Sequence, residues 1–367
     1  MSKHLYVHIP FCAHICEFCD FFRVPYQENL VQQYLEELSR ELKLYADKGE
    51  LTDLETIYIG GGTPTALSYV ELERLFQILA PYVKDQLEYT IEANPENLDR
   101  KRIELLVKYG INRVSLGIQC LEDTILKLLN RKHTANEALN VIDALYEAGI
   151  HNISADMIYG LPLQTTEQFV SDLKRLGNTK LSHISMYSLT IEENSAFGRK
   201  HQELIDNELE GEMYEKGRET LLELGFTQYE VANYARSFET QSKHNKGYWL
   251  FHDYVGVGMG AVGYLRGNRY ENTRNFPTYL SGKYIDSEDF ESKEDQQFLM
   301  IMLGLRLTQG VSLKSFKEFF GKELLDVYEL PIRKHCELGN LILSEEYLTT
   351  TPKGLEILHD VLIDFMD

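Results

Sequence analysis

Along the first half of the chain, short apolar runs rich in β-branched residues alternate with longer stretches whose apolar positions recur at helical spacing. The short runs predict strands over residues 5–9, 54–59, 87–93, 113–118, 153–158 and 183–189. The longer stretches predict helices over 29–45, 69–83, 100–109, 136–148 and 167–176. Alternation of this kind marks βαβ units and a parallel sheet. The rhythm stops after Leu189, so the expected architecture is α/β, an incomplete (β/α)6 TIM-like barrel.

Beyond it the pattern predicts a charged helix over 206–224, a strand-like piece over 226–235, and then His244-Asn-Lys-Gly-Tyr-Trp249. The glycine-rich run 254–265 reads as strands or tight turns, because glycine lets backbones approach closely. The acidic stretch 286–295 is the expected domain boundary. After it come helices over 296–307, 313–320 and 324–338, two β-like pieces near 341–343 and 347–350, and a last helix over 352–365 with Pro352 in its first turn. Helices plus a small hairpin make a winged-helix-like unit. The expected division is a barrel over 1–190, an extension over 191–288 and a small helical, winged-helix-like C-terminal domain over 289–367.

Composition narrows the partners. The 367 residues are 43% apolar, ample for a large packed core. A net charge of −20 repels phosphate backbones, which argues against nucleic acid as a partner and against a DNA-binding role for the C-terminal unit. Five cysteines, three of them in one loop, make no disulfide framework and point to a reducing, cytoplasmic setting. The first residues lack a signal-peptide core, and no run approaches the roughly 20 apolar residues of a membrane span. Peripheral membrane association is left open.

The residues with chemical potential recur at the ends of the expected strands. Cys12, Cys16 and Cys19, spaced CxxxCxxC, follow the first strand, and Gly60-Gly-Gly-Thr-Pro-Thr65 follows the second. Glu92 and Asn94 close the third, Gln119 closes the fourth, and Asp156 lies late in the fifth. In α/β barrels the C-terminal ends of the strands share one mouth, so these residues describe a single site. The short gaps between the cysteines let three thiolates wrap one centre. Structural zinc is usually closed by four ligands and would need His8 or His14 as well. An iron–sulfur cubane held by three cysteines leaves one iron open to a small molecule and fits the spacing better. The plain alternative is three unrelated buried thiols. Cys120 and Cys336 have no CxxC partners and read as buried structural thiols.

Taken together, Tyr6-Val-His-Ile-Pro-Phe-Cys12 with CxxxCxFC, the Gly60–Thr65 motif, Ile91-Glu-Ala-Asn-Pro95, Gly117-Ile-Gln119, Asn130-Arg131 and Asp156-Met-Ile-Tyr-Gly-Leu-Pro162 resemble a known pattern. It is that of radical S-adenosylmethionine (SAM) proteins of the oxygen-independent coproporphyrinogen oxidase superfamily, and it runs through nearly the whole chain. The resemblance implies a radical SAM barrel in which Cys12, Cys16 and Cys19 hold a [4Fe-4S] cluster whose open iron takes the amino and carboxylate groups of SAM. It implies that Gly61 and Gly62, with Gly60, let backbone approach the methionine moiety, and that Thr63 continues that loop. Glu92, Gln119, Arg131 and Asp156 match SAM-contacting positions, as do Tyr6 and Phe18 flanking the cluster. The plain alternatives are a tight turn for the glycines, a solvated carboxylate for Glu92, a helix-end ion pair for Arg131 and core packing for Tyr6 and Phe18.

Two features divide that superfamily. The decarboxylating oxidases carry a further cysteine two positions after the third ligand, where this chain has Phe21, and a long N-terminal extension, whereas eleven residues precede Cys12 here. His244-Asn-Lys-Gly-Tyr-Trp249 with the glycine-rich run after it is similar to the HNxxYW signature of the HemW family of heme chaperones. That similarity implies a protein that binds heme and delivers it to a heme-accepting respiratory protein. The alternative is an oxygen-independent coproporphyrinogen III oxidase, a radical SAM decarboxylase. On the chaperone reading no catalytic residue is assigned. His244 becomes the candidate heme contact, since neutral imidazole is a natural axial ligand, with a simple loop hydrogen bond as its alternative. Tyr248 and Trp249 offer surfaces that stack on a porphyrin, or plain core. No CxxCH occurs, so no c-type attachment is expected.

Overall fold

A computed structural model describes residues 2–366. Six parallel strands stand side by side in chain order: β1 (His4–Ile9), β2 (Thr56–Gly61), β3 (Glu88–Ala93), β4 (Arg113–Gln119), β5 (Asn152–Tyr159) and β6 (His183–Ser188). They alternate with α1 (Glu28–Asp47), α2 (Tyr69–Leu79), α3 (Arg100–Lys108), α4 (Ala135–Glu147) and α5 (Thr166–Gly177), and α6 (Asn207–Glu223) follows the last strand. Capping boxes start several of these helices: Ser68 with Glu71, Thr134 with Glu137 and Thr165 with Gln168 satisfy backbone N–H groups that the first turn leaves open. The fold is the α/β incomplete barrel that the hydrophobic rhythm predicts.

Each strand is two-sided. Leu5, Val7 and Ile9 of β1, and Ile57 and Ile59 of β2, are fully buried against the helices. The opposite, concave face carries the polar residues in register. Tyr6 stands beside Tyr58, Tyr58 beside Thr90, and Thr90 beside Arg113. One layer nearer the C-terminal ends, Glu92 lies beside Ser115, which lies beside Ser154. Burying one Leu or Ile contributes about 1.5–3 kcal/mol, whereas an exposed ion pair such as Lys43–Asp47 is screened by water and contributes little. The apolar face therefore holds the barrel together and leaves the concave face free for function.

The sheet is wider than six strands. The glycine-rich run supplies β7 (Tyr254–Val257), which lies parallel to β1 on its outer side, and it continues through antiparallel strands Val262–Leu265, Asn268–Asn272 and Ile285–Phe290. The acidic stretch expected to be a boundary thus contributes this exposed edge strand, whose charges keep other strands from pairing with it. At the other edge, Asn233–Ala235 pairs antiparallel with β6, and Thr227–Gln228 with it. His244–Trp249 is helical, within α7 (Lys243–Trp249).

The C-terminal unit has its own core around Ile301, Phe316 and Leu348. It combines helices Lys293–Gly304, Leu313–Phe320 and Leu324–Glu337 with a three-stranded sheet that includes Leu341–Leu343 and Tyr347–Thr350. The expected final helix is broken at Ile357 into Pro352–Glu356 and Leu358–Ile363. No helix among the described residues is long and apolar enough to cross a membrane.

The barrel meets this unit at an antiparallel bridge between Glu230 and Leu307. Burial pushes the Glu230 carboxyl from 4.5 up to about 7, opposed in part by neighbouring backbone N–H groups and Arg306. The folded protein keeps this proton to higher pH than the unfolded chain. The stability this gives is complete below about pH 4.5 and is lost as pH rises through about 7. Glu230→Gln removes that loss. Its stability relative to the parent, read from urea unfolding, should improve between pH 5 and pH 8 by up to roughly 3 kcal/mol. An equal difference at both pH values would show that Glu230 does not titrate in this window.

Candidate functional site

The cysteine loop follows β1 through Phe11 and Cys12 and crosses the C-terminal ends of the strands. It is tied to the end of β2 by two backbone bonds, Gly62 N–H to the Ile9 carbonyl and Thr63 N–H to the Phe11 carbonyl, both 2.9 Å. A side chain on Gly62 would bring its Cβ to 2.8 Å from the Phe11 carbonyl oxygen and 2.9 Å from Cys12 Sγ. On Gly61, whose φ is +116°, the Cβ would meet the His8 ring. Glycine is required because the loop and the strand end lie closer than any side chain permits.

Beneath this loop is a cleft of about 370 Å³. Cys12, Cys16, Cys19 and Phe18 border it from one side, Gly61, Gly62 and Thr63 from the end of β2, and Glu92, Gln119, Arg131 and Asp156 from farther round the barrel. These residues span positions 12 to 156, yet the fold brings them to one mouth. Tyr6 is the exception, since its side chain faces a second cavity and its hydroxyl bonds to His8 Nδ1 at 3.0 Å.

The polar groups of the cleft are held before any ligand arrives. Glu92 accepts from the Tyr58 hydroxyl at 2.8 Å and from Gly61 N–H at 3.1 Å, and burial pushes its carboxyl up to about 7. The Ser115 hydroxyl lies 3.1 and 3.0 Å from the two oxygens of Asp156, whose carboxyl burial also raises. Arg131 lies at the centre: Nη1 donates to Cys16 Sγ at 3.4 Å and Nη2 to Asn94 Oδ1 at 2.8 Å. Asn130, next to it, donates to the Ile15 carbonyl at 2.8 Å and so pins the middle of the cysteine loop. Gln119 (φ +65°) and Asn130 (φ +60°) both adopt left-handed backbone, which is uncommon away from glycine. The register of β4 against β5 shifts between Gly117 and Gln119, turning the Gln119 side chain toward the cleft.

This donor set fits a polynuclear, thiolate-bound centre with a polar ligand beside it. Among the described residues, no three His, Cys, Asp or Glu side chains converge closely enough to hold a single metal ion. Burial is the main cause that pushes the Cys12 thiol up to about 11, and the Arg131 guanidinium beside Cys16 places positive charge at the thiols. Gln119 Oε1 and Arg131 Nε are buried without hydrogen-bond partners, two open valences at the cleft wall. Asn94, Tyr58 and Ser115 complete the site. Asn94 was visible as a strand-end residue, but nothing in the local sequence marks the other two. Cys120 is fully buried and Cys336 half-buried, and neither borders the cleft.

His244 corrects an expectation. Its ring is buried, stacked on Tyr58 at 4.9 Å, with Nδ1 bonded to Thr56 Oγ1 at 2.6 Å and Nε2 to the Tyr248 hydroxyl at 2.7 Å. Both nitrogens are occupied, so the ring has no lone pair to offer an iron. The Glu88 carboxylate at the start of β3 accepts from Lys243 and His244 N–H, both at 2.9 Å, and fixes the first turn of α7 against the N-terminal ends of the strands. In barrels of this kind that end serves stability and positioning.

Between β7, its antiparallel neighbours and the C-terminal unit lies the second cavity, of about 660 Å³. Tyr6, Tyr248, Trp249, Phe251, Tyr254 and Tyr264 give it aromatic walls, and residues 20 and 21 of the cysteine loop border both cavities.

Gly62→Ala should prevent assembly of the cysteine-bound centre while leaving the barrel folded. Iron and labile sulfide after anaerobic reconstitution should fall to a small fraction of the parent's, with an unchanged far-ultraviolet circular dichroism spectrum. Full incorporation would show that the close approach of Gly62 to Cys12 is dispensable.

A family model described as the Radical SAM superfamily matches residues 6–176, and one described as the HemN C-terminal domain matches residues 292–357. A Lactococcus lactis protein named heme chaperone HemW is 35% identical, over 98% of this chain and 96% of its own. A Bacillus subtilis protein of the same name is 35% identical, over 99% of each. The solved structure of Escherichia coli HemN, described as a coproporphyrinogen III oxidase and radical SAM enzyme, shares the fold with a TM-score of 0.86 at 21% identity, covering 99% of this chain and 90% of that one. Identity at this level along nearly the whole length, on a barrel that gathers the cysteine and glycine motifs at one mouth, means that the chain belongs to the HemW family of the radical SAM superfamily.

Proposed function

We propose that this protein is a cytoplasmic heme chaperone that holds a [4Fe-4S] cluster and S-adenosylmethionine in the cysteine-lined cleft, binds heme in the aromatic cavity, and passes it to a heme-accepting respiratory protein. The observation that carries this reading is the second cavity. Its volume lies within the usual range of roughly 300–1,000 Å³ for small-molecule sites, and its walls combine aromatic side chains that can stack on a flat macrocycle with charged and polar groups that can meet its substituents.

On this reading Cys12, Cys16 and Cys19 hold the cluster, and Gly61, Gly62 and Thr63 present backbone to the methionine end of SAM. Glu92, Gln119, Arg131 and Asp156 meet its remaining polar groups, and Phe18 packs beside them. When bound, such a cluster and SAM supply one-electron chemistry, which the protein positions and shields. The chain's own part is to order the cysteine loop. Because residues 20 and 21 border both cavities, an ordered loop also shapes the heme-side wall.

Two measurements test this. Hemin added to the anaerobically reconstituted protein should titrate to saturation with a shifted Soret band, while coproporphyrinogen III with SAM and a reductant should give no vinyl product. Product formed over many turnovers would replace the chaperone reading with the decarboxylating oxidase. Replacing Cys12, Cys16 and Cys19 together by serine should abolish iron, labile sulfide and brown colour without unfolding the barrel. A variant that kept the cluster would remove these cysteines from its ligand set.

A further inference from the structure

The aromatic cavity contains one imidazole prepared for a metal. His8 borders it, but its ring is spent on both sides, Nδ1 on the Tyr6 hydroxyl at 3.0 Å and Nε2 on the Phe22 carbonyl at 3.1 Å. His252 also borders it and is different. Its Nδ1 lies 3.0 Å from His4 Nε2, with the two rings nearly parallel, while Nε2 has no hydrogen-bond partner among the described residues. An imidazole held through one nitrogen by a neighbour, with the other nitrogen free, is the usual state of a metal-binding histidine.

The bond that holds His252 is the end of a chain. His4 Nδ1 lies 2.9 Å from Thr56 Oγ1, which lies 2.6 Å from His244 Nδ1, and His244 Nε2 lies 2.7 Å from the Tyr248 hydroxyl. Both ends, His252 and Tyr248, border the cavity. Two proton arrangements run in a single direction along such a chain, with the Thr56 hydroxyl donating to one ring and accepting from the other. In one, the Thr56 hydroxyl donates to His244 Nδ1, His4 Nδ1–H donates to Thr56, and His252 Nδ1–H donates to His4, leaving a lone pair on His252 Nε2. A metal at His252 selects that arrangement, which also makes His244 the donor to Tyr248. His244 is then a positioning residue for the cavity.

The rim supplies the remaining chemistry. Arg269 and Arg274, from the antiparallel edge of the sheet, border the cavity, and Arg274 lies over the Phe22 ring at 5.9 Å. Guanidinium groups beside an aromatic cavity suit a flat ligand that ends in carboxylates. Asp20, Glu192 and Glu291 also border the cavity and Glu271 holds Arg274 at 2.7 Å, so Arg269 and Arg274 are the cations there that propionates can meet.

We propose that an iron porphyrin binds in this cavity with His252 Nε2 as axial ligand and Arg269 and Arg274 on its propionates. The proposal rests on the heme-chaperone reading and gives that reading its site. The test uses the full chain, with hemin and metal-free protoporphyrin IX as probes. His252→Gly should weaken hemin binding roughly tenfold or more and change the Soret maximum, leave protoporphyrin IX binding within about twofold, and regain the parent spectrum when imidazole is added. The double variant Arg269→Ala, Arg274→Ala should weaken both porphyrins alike. His244→Gly should show no imidazole rescue, because that ring does not touch iron. Rescue of His244→Gly in place of His252→Gly, or a parent-like hemin titration by His252→Gly, would overturn the assignment. If the parent titrates hemin while these variants match it, the site is wrong and the chaperone reading stands. If the parent binds no hemin at all, both fall.

Discussion

The arrangement depends on the close approach of three consecutive glycines to three different groups. Built outward from the backbone, a Cβ on Gly60 would meet the Glu92 carboxylate at 2.9 Å, one on Gly61 the His8 ring at 2.8 Å, and one on Gly62 the Cys12 sulfur at 2.9 Å. The end of β2 is therefore the floor on which the acidic residue, the strand β1 histidine and the cysteine loop all rest. A methyl group at any of the three would push out one component of the site. The two backbone bonds from Gly62 and Thr63 to the start of the cysteine loop act in the same place, so the start of the loop is located by main chain, while the Asn130 side chain pins its middle.

From that floor the molecule develops two cavities with a common wall. The alternation of β1 sends Leu5, Val7 and Ile9 into the helix layer and His4, Tyr6 and His8 inward. Tyr58, one strand over, bonds to Glu92 on the cysteine side and stacks on His244 on the other. The polar contents of the wall are thus continuous from the glycine loop to the aromatic cavity. The cost of burying these polar groups is offset where they are paired, and among the buried atoms without partners Gln119 Oε1 and Arg131 Nε lie where a ligand would complete them.

The HNxxYW helix takes its meaning from position. Docked on Glu88 at the base of the barrel, it directs His244 into the hydrogen-bonded interior and presents Tyr248 and Trp249 to the cavity. A single short element therefore serves both as plug and as wall. The antiparallel extension from β7 onward adds what a bare half-barrel would lack, a second side to the cavity and the two arginines at its rim.

The sequence by itself determined the six βα units, the mouth at the strand ends and the three-cysteine loop, because strand periodicity, glycine runs and close thiol spacing are local properties. It also marked Glu92, Gln119 and Asp156 at or near the ends of strands, and Arg131 through the family resemblance. What only the tertiary structure decided is the direction and pairing of side chains. Tyr6 turns to the aromatic cavity, the acidic stretch becomes an edge strand, and His244 has both ring nitrogens hydrogen-bonded while His252 keeps one free. Those outcomes depend on partners at positions 4, 56 and 248, brought together by sheet register and helix docking. Hydrogen bonds between distant segments leave no trace in local spacing, so the free nitrogen of a histidine is a property of the fold.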